Sequence, residues 1–334
     1  MIRHNVNLDS VVRTNTVTGK GPASIGKRLH AGERVSEFTT DEWYSFLATL
    51  TQEDIINYPD DSQLKTTLAK YHHVEAENIM LFSGADGVMN CAVSCFGIPG
   101  SQILTPELHF PMYDVYSQQQ ECKLNLLKYN GLELTAQTTE ITNDVSMILV
   151  ANPNSPVGDS MSLGMYHWFE SFNVPIVVDS VYGLFGRTYL DIHEKIEKNY
   201  IFAFSFSKGF GGAGLRIGYA VANKEIIQIL NKMRPMFAVT GVSLKFAQWS
   251  LAHLSLHLEY VAQVVAARKV VQKVYPWNIG GNWVHVPQEK YFDAFTNAGL
   301  TFRVDCRLPN ITEEVLIRIS ASPEVVSAMG LKFP

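Results

Sequence analysis

The segment from residue 199 to residue 220 carries the side chains whose types and spacing best suit chemistry. Ser205 and Ser207 alternate along a predicted strand, so both hydroxyls are expected on one side of it. Lys208 is predicted to end that strand, and Arg216 follows after a glycine-rich loop. Two hydroxyls, an amine and a guanidinium around one loop predict a phosphate pocket that also presents a nucleophilic amine.

The same loop matches G-x-G-x-x-G from Gly209 to Gly214, the fingerprint of dinucleotide-binding proteins. That fingerprint is normally followed by an acidic residue about 20 positions later. Here the next acid is Glu225, and the unit lies late in the chain. We therefore favour a phosphate pocket with a reactive lysine, which suits pyridoxal phosphate because its aldehyde combines with a lysine amine.

The spacing S-x-S-K-x-x-x-x-x-G-x-R-x-G, from Ser205 to Gly218, resembles that of the fold type I pyridoxal-phosphate-dependent aminotransferases of class I and II. The similarity is closest to the histidinol-phosphate aminotransferase branch and covers most of residues 55–322. It implies pyridoxal 5'-phosphate as cofactor. It also implies that Lys208 forms the Schiff base with the cofactor, takes the α-proton of the substrate and returns it to the cofactor.

Two further catalytic residues follow from the resemblance. Asp179 ends the predicted strand VPIVV, and Tyr182 comes three residues later. The resemblance implies that Asp179 pairs with the ring nitrogen of the cofactor and that Tyr182 contacts its phenolic oxygen. A carboxylate beside the ring nitrogen keeps that nitrogen protonated, which makes the ring a better electron acceptor.

The resemblance also implies where the phosphate and the ring are held. Gly84, Ala85 and Asp86 lead from a predicted strand into a helix, whose N-terminal amides would receive the phosphate. Phe110 would stack on the cofactor ring. Family members often have glutamate where this chain has Gly87.

The segment from Asn152 to Gly158, NPNSPVG, resembles the N-P-N-N-P-T-G turn of the family. The family places an asparagine before P-T-G, where it donates to the phenolic oxygen, but this chain has Ser155 there. The sequence leaves open whether Asn152, Asn154 or Ser155 makes that contact. Asn154 and Ser155 are both candidate cofactor-binding residues.

Three residues extend the resemblance to the substrate and to a partner subunit. Arg318, on the predicted strand LIRIS, is expected to bind the α-carboxylate of the substrate, because a guanidinium matches a carboxylate in bidentate fashion. Arg303 would meet a distal acidic group. Tyr58, in the stretch NYPD, would reach the phosphate bound by the partner subunit of a homodimer whose subunits share their active sites.

The resemblance predicts an aminotransferase that acts on an L-amino acid or an amine derived from one. The alternative is a decarboxylase, or an eliminating or cyclising enzyme, on the same fold, since the bond that breaks at Cα depends on an angle that sequence does not reveal. A relative that binds the cofactor without catalysis is a third hypothesis. The N-terminal stretch NTVTGKGPAS lacks the A-N-E-N-P pattern of the histidinol-phosphate branch.

The elements that must position these residues alternate between short apolar strands and helices, which predicts a mostly parallel sheet flanked by helices. We expect an α/β fold of the fold type I class with a smaller α+β C-terminal domain. The predicted division is an N-terminal arm at 1–40, a large cofactor-binding domain at 41–241, and a connecting helix with the small domain at 242–334. Residues 242–274 could form one long helix or two shorter ones.

Composition narrows the class of protein. The net charge of −5 argues against a nucleic-acid-binding protein, and no apolar run reaches the length that spans a bilayer. The N-terminus has no signal-peptide pattern, and the four cysteines form no C-x-x-C pair, so we expect a cytoplasmic protein without a metal site. His253 and His257 have helical spacing but lack the glutamate of a zinc-protease motif. Charged residues make up only 18% of the chain, which favours an oligomer.

Overall fold

A computed structural model describes residues 27–137, 144–186, 191–308 and 310–333 of the chain. Residues 1–26, which hold most of the predicted N-terminal arm including NTVTGKGPAS, lie outside the described residues.

The described residues form helices and strands in alternation over most of their length. The α-helices, in chain order, are α1 (Thr40–Leu47), α2 (Glu53–Ile56), α3 (Ser62–His72), α4 (Gly84–Phe96), α5 (Met112–Gln119), α6 (Leu163–Glu170), α7 (Ile192–Ile196), α8 (Lys224–Met233), α9 (Gly241–Ala252), α10 (Leu254–Gln272), α11 (Gln288–Asn297) and α12 (Pro323–Ala328). The strands are β1 (Lys27–Arg28), β2 (Ile79–Phe82), β3 (Gln102–Pro106), β4 (Lys123–Leu127), β5 (Tyr129–Asn130), β6 (Glu133–Leu134), β7 (Val145–Ala151), β8 (Ile176–Asp179), β9 (Tyr200–Ser205), β10 (Gly218–Val221), β11 (Trp283–Pro287), β12 (Leu300–Thr301), β13 (Arg303–Leu308) and β14 (Thr312–Ser320).

The central sheet has seven strands in the order β2-β10-β9-β8-β7-β3-β4. Its neighbouring strands are parallel except at β10, which runs antiparallel to both β2 and β9. The predicted α/β fold with a mostly parallel sheet is therefore confirmed. Because the parallel strands point the same way, the loops that follow them meet at one edge of the sheet.

Both faces of the central sheet are buried, which explains its apolar strands. In β8, Ile176 and Val178 pack into the cluster that includes α3, α6 and α9, whereas Val177 packs into the cluster of α4, α5 and α8 on the other face. This alternation of period two makes a sheet with a layer of helices on each side.

A second, antiparallel sheet of three strands lies near the end of the chain, in the order β11-β14-β13. Val284, Val286, Ile317 and Ile319 on one of its faces pack with α10, α11 and α12. The short strand β1 pairs in parallel with β12, which brings the beginning of the described chain to this region. The opposite face of the small sheet is therefore left for other contacts.

The long apolar segment after residue 241 forms two helices, α9 and α10, which settles the alternative left open by the sequence. They meet at His253, whose backbone N–H and ring Nδ1 both approach the carbonyl oxygen of Trp249, the ring nitrogen at 2.8 Å.

Within the described ranges, no helix is both long and apolar enough to cross a membrane. The same residues contain no group of three or more His, Cys, Asp or Glu side chains arranged to hold a metal ion.

Candidate active site

A cavity of about 440 Å³ lies between the carboxyl edge of the central sheet and the exposed face of the small sheet. This volume is within the usual range for a small-molecule site. Most residues predicted for the site line it, namely Ala85, Asp86, Phe110, Ser155, Asp179, Tyr182, Ser205, Ser207, Lys208, Arg216, Arg303 and Arg318. Gly84, Asn154 and Tyr58 are not among the lining residues.

The sequence interpretation of the lysine segment needs a correction. Strand β9 ends at Ser205, so Ser207 and Lys208 belong to the turn that follows, not to the strand. The ladder to β10 stops where Ser205 pairs with Gly218, and the chain then turns, with the Gly212 N–H donating to the Phe206 carbonyl at 2.8 Å. The turn, not strand alternation, brings both serines to the cavity, with the Ser207 N–H donating to the Ser205 hydroxyl.

The Lys208 amine points across the cavity. Its Nζ donates to the carbonyl oxygen of Ala31 at 2.7 Å and lies 5.8 Å from the centre of the Tyr182 ring. The segment that carries Ala31 is itself fixed by the small sheet, because the Ser320 N–H donates to Leu29 O and Arg303 Nε donates to His30 O. The reactive amine is thus held by residues that come from the start of the described chain.

Asp179 is the buried acid of the site. It is the last residue of β8, and its carboxylate accepts hydrogen bonds from the Tyr113 hydroxyl and the Val181 N–H, both at 3.1 Å. Burial raises the pKa of Asp179 to about 6, despite these two hydrogen bonds. A buried carboxylate with a raised pKa favours a cationic group beside it, because such a group offsets the cost of burying the charge.

The start of α4 and Arg216 form an anion cradle, which we define as Gly84, Ala85, Asp86, Arg216 and Gly218. Gly84 has φ +73°, and a Cβ on Gly218 would lie 2.5 Å from the carbonyl carbon of Gly84 and 2.6 Å from the Ala85 nitrogen. The helix N-terminus therefore packs directly on the β10 backbone. Its first amides have no partner within the helix, and Arg216 Nη2 lies beside them, 3.2 Å from Asp86 Oδ2.

The turn after β7 anchors the side chain of Asn154 through its amide nitrogen. The Asn154 amide donates to the Tyr129 hydroxyl at 2.6 Å and to the Leu108 carbonyl at 2.7 Å, and Tyr129 in turn donates to Asp159 at 2.9 Å. These buried partners hold the amide nitrogen, and the predicted contact of Asn154 with the cofactor stays a prediction. Ser155 lines the cavity and accepts a hydrogen bond from Arg318 at 3.3 Å.

Aromatic side chains from the segment after β3 and from the start of α5 lie at the end of the cavity near Asp179. Phe110 lines the cavity and meets Tyr113 edge to face, with ring centres 5.9 Å apart. His109 also lines it and lies parallel to Tyr113. Phe110 was predicted for the site from the sequence but Tyr113 was not, although the motif HFPMY contains both and a buried tyrosine hydroxyl normally needs a partner.

The wall made by the small sheet is rich in arginine. Arg318 on β14 pairs in register with Arg303 on β13, and the Arg318 guanidinium lies 4.2 Å from the centre of the Trp283 ring. Burial lowers the pKa of Arg303, and the nearby Arg318 lowers it further. Arg307 and His285 also line this wall and were missed, because register between distant strands is not visible in sequence.

Tyr58 lies outside the cavity of its own chain. Its side chain is 79% exposed and stacks on Phe237 with ring centres 4.2 Å apart. Its predicted contact with a partner subunit stays a prediction.

The sheet order, the cavity at its carboxyl edge and the small antiparallel sheet that closes it define the fold type I architecture. Solved structures share this fold at low identity. The histidinol-phosphate aminotransferase from Sinorhizobium meliloti, solved in complex with pyridoxal-5'-phosphate, has a TM-score of 0.79 at 20% identity and covers 92% of this chain and 89% of its own. The L-threonine-O-3-phosphate decarboxylase from Porphyromonas gingivalis has a TM-score of 0.73 at 17% identity, covering 91% of this chain and 98% of its own.

Sequence comparison identifies the family. The model of the family Aminotransferase class I and II matches residues 35–274, more than half of the chain, and the chain belongs to this family. The histidinol-phosphate aminotransferase of Sulfurimonas denitrificans is 30% identical over 219 residues, which cover 58% of this chain and 57% of that protein. The chain thus matches a little over half the length of that relative.

Proposed function

We propose that this chain is a pyridoxal-phosphate-dependent aminotransferase that acts on an L-amino acid or an amine derived from one. The observation that carries the proposal is that Lys208 and Asp179 line one cavity together with Ala85, Asp86 and Arg216 of the anion cradle. Membership of the aminotransferase class I and II family supports the same activity.

The residues of the cavity fit pyridoxal phosphate. The anion cradle, with the hydroxyls of Ser205 and Ser207, offers a dianion helix amides, a guanidinium and two O–H donors. Asp179 offers a buried carboxylate to the ring nitrogen, and Ser155 and Tyr182 offer hydroxyls to the phenolic oxygen. The close approach of Gly84 and Gly218 supports a phosphate role, since any larger residue at Gly218 would displace the helix amides.

When bound, pyridoxal phosphate supplies an aldehyde that combines with amines and a ring that accepts electrons from Cα. Lys208 provides the amine that removes the proton from Cα of the substrate and later returns it. Asp179 holds a proton on the neighbouring ring nitrogen, because a buried carboxylate stabilises an adjacent cation.

The arginines of the small sheet support an anionic substrate. Arg318 is proposed to bind the carboxylate of the substrate, and Trp283 beneath its guanidinium together with Ser155 fixes its direction. Arg303 is proposed to reach a second, distal acidic group.

The division of the chain into an N-terminal arm, a large domain that begins at residue 41, and a connecting helix with a small domain that begin at residue 242 is likewise a proposal.

We also propose a homodimer whose subunits share their active sites. Large apolar side chains of α2, of the segment after it, of the end of α8 and of the loop between α8 and α9 are exposed to solvent in the single chain, namely Ile55, Ile56, Tyr58, Met233, Met236 and Phe237. A second copy of the chain would cover this dimer patch.

A cytoplasmic location is proposed from the free thiols of the four cysteines, which suit a reducing compartment.

The test is to incubate the purified protein with pyridoxal phosphate and candidate amino acids, and to follow the visible absorption band and the release of keto acid. Loss of the band with keto acid release supports transamination. If the absorption band forms but the protein releases carbon dioxide or another product in place of a keto acid, the decarboxylating, eliminating or cyclising alternative is favoured. Lys208→Ala should abolish turnover while the fold remains, and unchanged turnover would contradict the mechanism.

A further inference from the structure

His285 is a buried polar residue of the cavity that the proposed mechanism does not use. It is only 1% exposed, and its Nε2 has no hydrogen-bond partner among the described residues. It nevertheless lines the cavity beside the arginines of the small sheet. Buried polar atoms in folded proteins are nearly always paired, so an unpaired one at a cavity wall points to a ligand.

The register of the small sheet gives the ring its neighbours. On β11, His285 lies directly opposite Arg318 of β14, which in turn lies opposite Arg303 of β13. Side chains of residues that pair across antiparallel strands emerge on the same face. His285, Arg318 and Arg303 therefore form one row across the cavity wall, with neighbouring strands about 4.8 Å apart.

The backbone of His285 is fixed, so the ring has little freedom to seek another partner. Its N–H donates to Asn278 Oδ1 at 2.6 Å, and its carbonyl oxygen accepts from Asn278 Nδ2 and Trp277 Nε1, both at 3.0 Å. The neighbours Val284 and Val286 point into the core on the opposite face. These contacts hold the imidazole on the cavity side.

We propose that His285 is a substrate-recognition residue whose Nε2 donates a hydrogen bond to the oxyanion that Arg318 holds. An atom within reach of both side chains lies next to a guanidinium, which selects an anion. A bidentate arginine leaves further lone pairs of a carboxylate or phosphate group unused, and the imidazole N–H can serve one of them. The row thus binds an oxyanion of the substrate at two neighbouring positions.

The charge state of the ring agrees with this role. Burial, and then the charge of Arg318, hold the pKa of His285 well below its ordinary value. The ring is therefore neutral at physiological pH and offers one N–H donor without adding a further cation to the wall. This inference rests on the proposed function only in calling the bound oxyanion a substrate group.

The experiment titrates protein loaded with pyridoxal phosphate by calorimetry, with succinate as the carboxylate probe and inorganic phosphate as the tetrahedral probe. His285→Leu should weaken binding of at least one probe by about tenfold or more, the usual effect of one hydrogen bond to a charged group. The affected probe identifies the type of oxyanion. His285→Gln should restore much of the affinity, since its amide N–H reaches nearly the position of Nε2.

His257→Leu is the matched control, because His257 is equally buried and unpaired but lies outside the cavity lining. It should leave both affinities unchanged. Equal affinities in wild type and His285→Leu, equal weakening in the leucine and glutamine variants, or no binding by wild type would each overturn the proposal. His285→Met replaces the leucine variant if the latter does not fold.

Failure of the proposed function gives a separate signal. If no absorption band forms with pyridoxal phosphate, that function is wrong, while the succinate titration of the unloaded protein still tests the pairing of His285 with Arg318. In the unloaded protein, Arg216→Ala removes the guanidinium of the anion cradle. Succinate binding that remains in this variant, and that is lost when His285 is also replaced, therefore comes from the small sheet.

Discussion

At the scale of single residues, the environment of Asp179 sets the acid–base behaviour of the site. Its carboxylate is buried at the end of β8, and two hydrogen bonds only partly offset the burial that raises its pKa to about 6. One of these bonds comes from Tyr113, a fully buried residue that cannot turn to another partner. Tyr113 is therefore a positioning residue for Asp179.

Tyr113→Phe should move the acid limb of the pH profile of kcat/KM to higher pH. Without the hydroxyl donor the pKa of Asp179 rises, so the carboxylate is lost at a higher pH and the ring nitrogen loses its partner. A hydrogen bond to a charged group predicts a shift of about one to two pH units. Tyr275→Phe, which removes a hydroxyl group that donates a hydrogen bond to the Tyr291 hydroxyl near the small sheet, is the control. An unchanged acid limb in Tyr113→Phe would contradict the role of Tyr113 as a positioning residue for Asp179.

At the scale of elements, the contact between β10 and the start of α4 fixes the anion cradle. Gly218→Ala should lower the melting temperature and weaken binding of pyridoxal phosphate, because its Cβ would overlap the backbone of Gly84 and Ala85. Such overpacking costs about 1–3 kcal/mol. Gly214→Ala adds a methyl group in the loop before β10, at a position whose Cβ would meet no other atom within 4 Å, and it should change neither property. Differential scanning calorimetry and cofactor titration make both measurements.

A second prediction at this scale concerns α10, whose His257 packs among the rings of Phe38, Phe210 and Trp249. Burial, and then nearby Arg34, lower its pKa to about 4. Between pH 6.5 and 4 the unfolded chain binds a proton here that the folded chain excludes, so this residue costs stability as the pH falls. The cost approaches 1.4 kcal/mol per pH unit.

His257→Leu should therefore become more stable relative to wild type as the pH is lowered from 6.5 to 4. The free energy of unfolding from urea titrations at several pH values measures the difference. The comparison with wild type removes the contributions of Asp179 and Asp159, whose pKa values are raised to about 6 and which act in the opposite direction. If the difference in unfolding free energy between the variant and wild type does not vary with pH, the folded chain takes up the proton on His257 as readily as the unfolded chain does.

The elements also show what the sequence could and could not predict. Strand ends are local features, so the apolar run before Asp179 predicted its place at the end of β8, whereas the same reasoning placed Lys208 on β9 although that strand ends at Ser205. The direction of Asn154 depends on Tyr129, on a strand 25 residues away in sequence. The row His285–Arg318–Arg303 depends on pairing between distant strands, which no local pattern encodes.

At the scale of the whole molecule, the dimer patch is the feature that a single chain leaves unexplained. Ile56→Asp should convert a dimer to a monomer and weaken cofactor binding, because burying an unpaired carboxylate in an apolar interface is unfavourable. Sedimentation velocity and cofactor titration follow the two effects together. Ile98→Asp introduces the same charge at an exposed isoleucine outside the patch and should preserve the dimer. A fully active monomer would exclude shared active sites.

The pairing of Lys27–Arg28 with Leu300–Thr301 has a consequence for the newly made chain. A ribosome releases the segment around Ala31 long before it releases β12, β14 or even Lys208, which together hold that segment in place. The central sheet can form first, because domains fold as their residues leave the ribosome. The segment around Ala31 is thus synthesised well before the strands that fix it, and the reactive lysine gains its hydrogen-bond partner only after β12 and β14 have been made.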